Sequence, residues 1–75
     1  YDAMLIPLDK IKPAYIFEFK VSKTIKALNA KAEEALEQIK EKQYDVGLKD
    51  LGITKIYRIG IAFKGKNVKV KYEII

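Results

Sequence analysis

The segment Ala14–Val21, AYIFEFKV, constrains this chain more than any other stretch. Aromatic and β-branched residues fill it from end to end, which is the composition of a strand. Side chains two apart in a strand share a face. Glu18 and Lys20 therefore lie on one face, while Phe17 and Phe19 enter the opposite layer. A carboxylate and an ammonium thus sit side by side in the middle of an otherwise apolar strand. Burying such a pair is costly without compensation. On a wet sheet face it is an ordinary ion pair, close to neutral in energy. Both placements fit this strand taken alone.

The flanking pattern supplies the rest of a small sheet. Tyr1–Pro7 reads as a strand ended by its proline. Leu8–Pro13 is a six-residue polar connection, long enough for an open hairpin loop. Ser22–Leu28 carries no clear signal. Asn29 is placed to cap a helix from Ala30 to about Gln43, with Ala32, Ala35, Leu36 and Ile39 forming one apolar stripe. Glu33 and Glu34 fall in its first turn and Lys40 and Lys42 in its last, as the helix dipole favours. Asp45–Leu51 reads as a short second helix or a turn, ended by Gly52. Thr54–Phe63 is a third strand, and Lys64-Gly65-Lys66 is a hairpin turn. In Asn67–Ile75, Val68, Val70, Tyr72 and Ile74 alternate with Lys69, Lys71 and Glu73, which predicts one buried face and one wet face. The expected order is β-β-α-β-β, an α/β domain with one main helix on its sheet.

Size and composition limit the chemistry. A chain of 75 residues forms one domain and buries only ~60% of its unfolded surface. It has no cysteine, so no disulfide reinforces that thin core. It has no histidine either, which removes zinc-finger sites, Ser-His-Asp triads and Cys-His dyads together. Metal chemistry would have to use oxygen ligands, which suits magnesium, manganese or calcium. A general base would have to be a carboxylate, a lysine or a tyrosine. With 49% hydrophobic and 33% charged residues the composition is that of a soluble globular protein, and no apolar run approaches the ~20 residues of a membrane span. Cytoplasmic residence and no membrane partner are expected. The net charge of +5 is unevenly spread: residues 51–75 hold six basic residues against Glu73 alone. Such a surplus suits nucleic acid, or serves only solubility.

Asp2 extends the pattern around Glu18. It lies on the preceding strand, where a hairpin would bring its carboxylate beside that of Glu18. Two adjacent carboxylates repel, and a divalent cation relieves the repulsion. A lysine beside them can hold or deprotonate a water, as phosphodiester hydrolysis requires.

Asp2 followed by Glu18-Phe19-Lys20 resembles the PD-(D/E)xK nuclease motif. Ala35-Leu36-Glu37-Gln38-Ile39 with Lys42-Gln43-Tyr44 resembles the helix that follows it in one branch, and Ile59-Gly60-Ile61-Ala62-Phe63 resembles that branch's next strand. The ordered set is similar to the nuclease-like domain at the C-terminus of bacterial proteins with an AAA-ATPase-like N-terminal region. The resemblance implies a restriction-endonuclease-like mixed sheet. It makes Asp2 and Glu18 ligands of Mg²⁺ or Mn²⁺, with the Phe19 carbonyl as a third. Lys20 would position or activate the attacking water, Gln38 would face the site from the helix, and Tyr44 would be a neighbour. DNA is the implied substrate, and the ATPase-like region of the same parent protein the implied partner. Arg58, Lys66, Lys69 and Lys71 are the candidate phosphate contacts, with Lys55 and Lys64 nearby; on an edge hairpin such residues also discourage aggregation. The chain departs from the family in having Tyr1 rather than proline before the acid, and in lacking the first helix and strand expected ahead of Asp2. A truncated domain, 1–75, is therefore expected, with a homodimer that hides the unpaired sheet edge by strand pairing or exchange. Two other readings stay open: a catalytically inactive nuclease-like module that binds nucleic acid or protein, and a plain α/β interaction domain.

Overall fold

Period-two alternation yields four strands in the computed structural model, which describes residues 2–75; Tyr1, at the start of the expected first strand, lies outside them. The elements are β1 (Asp2–Leu5), β2 (Ala14–Val21), α1 (Leu28–Lys42), α2 (Tyr44–Asp50), β3 (Ile56–Lys64) and β4 (Asn67–Ile74). They form one mixed sheet in the order β1-β2-β3-β4. β1 runs antiparallel to β2, β2 parallel to β3, and β3 antiparallel to β4. The parallel pair needs a long crossover, and α1 and α2 supply it. The expected single-helix order is thereby corrected to β-β-α-α-β-β. Gln43 separates the helices: its left-handed φ of 54° ends α1 and redirects the chain into α2.

The helices cover one face of the sheet. Ala14 and Ile16 of β2 and Ile56 of β3 point into that layer and pack with Ile39, Leu48 and Ile53. Leu28, Ala32 and Ala62 form a second cluster farther along α1. Gly60 sets the spacing between layers. A Cβ there would lie 2.5 Å from the Ala32 carbonyl oxygen and 2.6 Å from the Leu36 nitrogen, so α1 rests directly on the β3 backbone. Of the predicted stripe, Ala32, Ala35 and Ile39 are buried and Leu36 is only half-buried.

Two local expectations are corrected. Asn29 does not cap α1. The helix begins at Leu28, with Thr24 Oγ1 accepting from the Ala27 N–H at 3.1 Å, and Asn29 lies inside the helix with its amide 3.4 Å from Glu33. Glu33 and Glu34 therefore fall outside the first turn. The predicted buried face of β4 is exposed, with Val68, Val70, Tyr72 and Ile74 turned away from the helices. Lys71 and Glu73 face the helical layer instead, because the β3–β4 register sets them opposite Gly60 and Arg58. The hairpin between these strands is the two-residue loop Gly65-Lys66, whose first position needs the positive φ of 58° that Gly65 adopts. Among the described residues no helix is long and apolar enough to cross a membrane.

Candidate active site

The β1–β2 register fixes the first pair of groups. Asp2 stands directly opposite Glu18, on the face covered by α1. Cross-strand neighbours of this kind have Cβ atoms about 5 Å apart, so their carboxyl groups converge. Glu18 is almost entirely enclosed, its side chain 3% exposed, whereas that of Asp2 is 24% exposed. Buried carboxylates require compensation, and it comes from the junction of α1 and α2. Lys42 Nζ lies 2.7 Å from Asp2 Oδ2 and 3.5 Å from Glu18 Oε1. The Tyr44 hydroxyl donates to Asp2 Oδ2 at 2.6 Å. Placing Lys42 and Tyr44 on the same carboxylate depends on the turn at Gln43, which aims both side chains back at β1.

The electrostatics follow from this contact set. Burial pushes the Asp2 carboxyl up, but the hydrogen bonds from Lys42 and Tyr44 and the charge of Lys42 outweigh it and hold the group below the usual aspartate range. The same hydrogen bond to Asp2 raises Lys42, partly offset by burial. Tyr44 is raised by its hydrogen bond to Asp2, then by burial and the nearby negative charge. The cluster is thus an ammonium held between two carboxylates.

Lys20 follows Glu18 on the same face of β2, and its ammonium lies 3.9 Å from Glu34 on α1. Gln38 is half-buried on α1. It occupies the same i, i+4 row as Glu34 and Lys42, and residues on such a row are neighbours on the helix surface. Gln38 therefore sits between the residue that meets Lys20 and the residue that meets Asp2 and Glu18. Phe19 contributes its backbone between Glu18 and Lys20, while its ring belongs to the opposite face. Asp2, Glu18, Lys20 and Gln38 thus line one edge of α1.

The predicted phosphate contacts lie on β3, β4 and the hairpin between them, with Lys71 in the register row of Glu18 and Lys69 in that of Lys20. Arg58 is 15% exposed, with NH1 2.7 Å from Glu73 and NH2 3.2 Å from Asp45. Burial opposes its charge, yet those two acids raise its pKa above the ordinary value. Burial likewise pushes Glu73 up, and Arg58 and Lys40 bring it below the carboxylate norm. Lys71 lies 3.8 Å from Glu33, and Lys66 and Lys69 are exposed.

The donor set fits a hard cation. Asp2 Oδ1 is buried and finds no hydrogen-bond partner among the described residues. The place between the two carboxylates is one that a positive group already favours, as Lys42 demonstrates. No cluster of three carboxylates forms among the described residues. Two carboxylates with a backbone carbonyl suit Mg²⁺, which keeps several of its waters.

Sequence reasoning assigned Lys42 to the helix dipole and missed its contacts with both acids. Its spacing of four from Gln38 was the available signal.

A family whose model is described as the PD-(D/E)XK nuclease superfamily matches residues 1–73. Neither a curated protein nor a solved structure matches the chain. The family match takes in both helices and every strand but the last residue of β4, including the Asp2–Glu18 pair and Lys20. The chain belongs to the PD-(D/E)XK nuclease superfamily.

Proposed function

We propose that this domain is a metal-dependent nuclease that hydrolyses DNA phosphodiester bonds. The observation that carries the reading is the register pairing of Asp2 with Glu18, with Lys20 following on the same face. Asp2 and Glu18 would hold Mg²⁺ or Mn²⁺, with the Phe19 carbonyl as a further donor. A cation bound there supplies Lewis acidity toward a phosphate oxygen. Lys20 orients the attacking water, and Gln38 holds the phosphate or that water from α1. Tyr44 fixes the Asp2 carboxylate by its hydrogen bond. On this reading the domain works beside an AAA-ATPase-like region of the same parent protein, as the family resemblance implies, and cytoplasmic residence is the default expected from composition.

One observation favours a second reading. Lys42 already offsets part of the charge of the two acids, so a positive group of the chain itself stands where a cation would bind. A module that binds nucleic acid without cutting it would have this property.

Cleavage assays with plasmid and single-stranded DNA plus Mn²⁺ separate the two. Lys20→Ala is expected to reduce the rate by roughly 10²–10⁴-fold with DNA affinity unchanged, the range of a positioned proton-transfer group. Glu18→Ala is expected to reduce both Mn²⁺ affinity and rate. Wild-type cleavage that survives Lys20→Ala would refute its role, and no cleavage by the wild type would select the non-catalytic module.

A further inference from the structure

Gln43 holds a left-handed backbone, φ 54°, without being glycine. Other residues rarely adopt that conformation, and it persists only where the surroundings fix it from several sides. The turn carries more than the direction of the chain. Lys42, the last residue of α1, and Tyr44, the first of α2, flank Gln43, and both reach the Asp2 carboxylate. Two backbone hydrogen bonds close the turn: the Gln43 N–H donates to the Lys40 carbonyl at 3.3 Å, and the Val46 N–H to that of Gln43 at 3.1 Å. No side chain caps the start of α2. Local bonds of this kind shape the turn but do not orient it against the sheet.

Arg58 supplies that orientation. It stands on the helical face of β3, in the register row of Met4, Ile16 and Glu73, next to the row of Asp2, Glu18, Gly60 and Lys71. Its guanidinium grips both sides of the turn. Nη2 lies 3.2 Å from Asp45, the second residue of α2. Nη1 lies 2.7 Å from Glu73, and Glu73 lies 3.5 Å from Lys40 in the last turn of α1. The Arg58 and Asp45 side chains are only 15% and 13% exposed, so solvent screens their attraction less than that of a surface pair. A planar guanidinium also engages two acids in fixed directions, which an ammonium does not. Lys49 approaches Asp45 too, but at 4.0 Å and from within α2 itself, so it cannot tie that helix to the sheet.

We propose that Arg58 is a positioning residue: by holding Asp45 and Glu73 it sets the α1–α2 turn so that Lys42 and Tyr44 reach the Asp2 carboxylate. It acts through the turn, from a strand two places away from β1. The consequence for a metal rests on the proposed function, whereas the hold on Asp2 does not. That consequence has a distinctive sign. Removing the Asp45 charge weakens cation binding nearby, and withdrawing Lys42 from the acids strengthens it. A net rise in Mn²⁺ affinity on losing Asp45 therefore reports the position of Lys42.

Nuclear magnetic resonance of the metal-free chain tests the hold. A through-space cross-peak between the Tyr44 ring and the Asp2 methylene is expected in the wild type, and its loss in Asp45→Ala and in Arg58→Gln. Lys49→Gln, which removes only the pair within α2, is expected to keep it. Loss from either side of the Arg58–Asp45 contact places the effect in that pair rather than in fraying of α2. Should Arg58→Gln fail to fold, Asp45→Ala decides. A folded Asp45→Ala chain that keeps the wild-type cross-peak overturns the proposal, and so does an equal loss in Lys49→Gln. Calorimetric titration adds the metal. Mn²⁺ affinity is expected to rise about threefold in Asp45→Ala but not when Lys42→Gln is already present, the non-additivity of residues that act together. A fall in affinity, or an equal rise in both backgrounds, overturns the route through Lys42. A wild type that binds no Mn²⁺ at Asp2 and Glu18 would sink the proposed nuclease activity, and the metal-free cross-peak would still decide the role of Arg58.

Discussion

Lys42 holds the two acids of the site together by standing between them, 2.7 Å from Asp2 and 3.5 Å from Glu18. Two carboxylates this close repel, and the ammonium offsets that repulsion through contacts short enough for direct ion pairing. A divalent cation on the same oxygens must compete with it. Lys42→Gln removes the competitor and leaves the carboxylates uncompensated. It is expected to raise Mn²⁺ affinity roughly tenfold, while lowering stability without metal. Calorimetric titration with Mn²⁺ and thermal melts check both directions; unchanged affinity would show that the cation binds away from this pair. The acids and Lys20 were legible in the sequence because strand periodicity alone puts Glu18 and Lys20 on one face, and a hairpin brings Asp2 alongside. Lys42 was not legible in that way. Its position depends on how α1 sits over the sheet and on the left-handed turn at Gln43, neither of which local propensity specifies.

At the scale of elements, Gly60 decides how closely α1 approaches β3. Its missing side chain lets Ala32 and the Leu36 backbone rest against the strand, and this closeness carries Gln38 and Lys42 to the site edge. Gly60→Ala places a carbon against backbone atoms that cannot rotate away. It is expected to destabilise by about 1–3 kcal/mol. Gly47 provides the opposite case. It lies within α2, and a Cβ there meets nothing within 4 Å. Gly47→Ala is expected to stabilise by about 0.5–1 kcal/mol through helix propensity. Paired thermal melts check the sign of each change. If both substitutions shift the midpoint alike, helix–sheet spacing is not what Gly60 controls. The strands and the main helix were readable from alternation and from the alanine-rich stripe. The start of α1 was misread because the chain turns into the helix before Asn29 through backbone hydrogen bonds, Leu28 N–H to Ile25 and Lys31 N–H to Ala27, with no side-chain cap. The face of β4 was misread because alternation reveals that two faces differ, not which one the helices cover. Lys71 and Glu73 took the helical side through ion pairs to Glu33, Lys40 and Arg58.

On the scale of the whole molecule, the sheet divides a mostly apolar layer, where Lys55 Nζ lies over the Tyr57 ring, from a charged one. The radius of gyration is 13.1 Å, against about 11 Å for a compact chain of this length, and the accessible surface is 5089 Å², against about 4,700 Å² for its mass. Both excesses agree with a sheet covered on one side. The charged layer also has a direction. The registers align Lys20, Ala62 and Lys69 in one row, and the hairpin bearing Lys66 closes the same end of the sheet. The C-terminal basic surplus seen in the sequence therefore meets the candidate water-positioning lysine at one end of the parallel β2–β3 pair. On the proposed reading, Lys66, Lys69 and Lys71 attract the DNA backbone without reading its sequence. Replacing all three with glutamine is expected to weaken binding to every duplex similarly. It should also flatten the slope of log affinity against log salt by up to about 3, close to one unit for each phosphate no longer neutralised. Arg58, held between Asp45 and Glu73, is expected to alter stability more than that slope. Fluorescence anisotropy with duplexes of unrelated sequence, measured across a salt series, separates the two kinds of residue. A triple variant with the wild-type slope would move the DNA path away from this end of the sheet, and sequence-dependent weakening would mean that these lysines reach the bases.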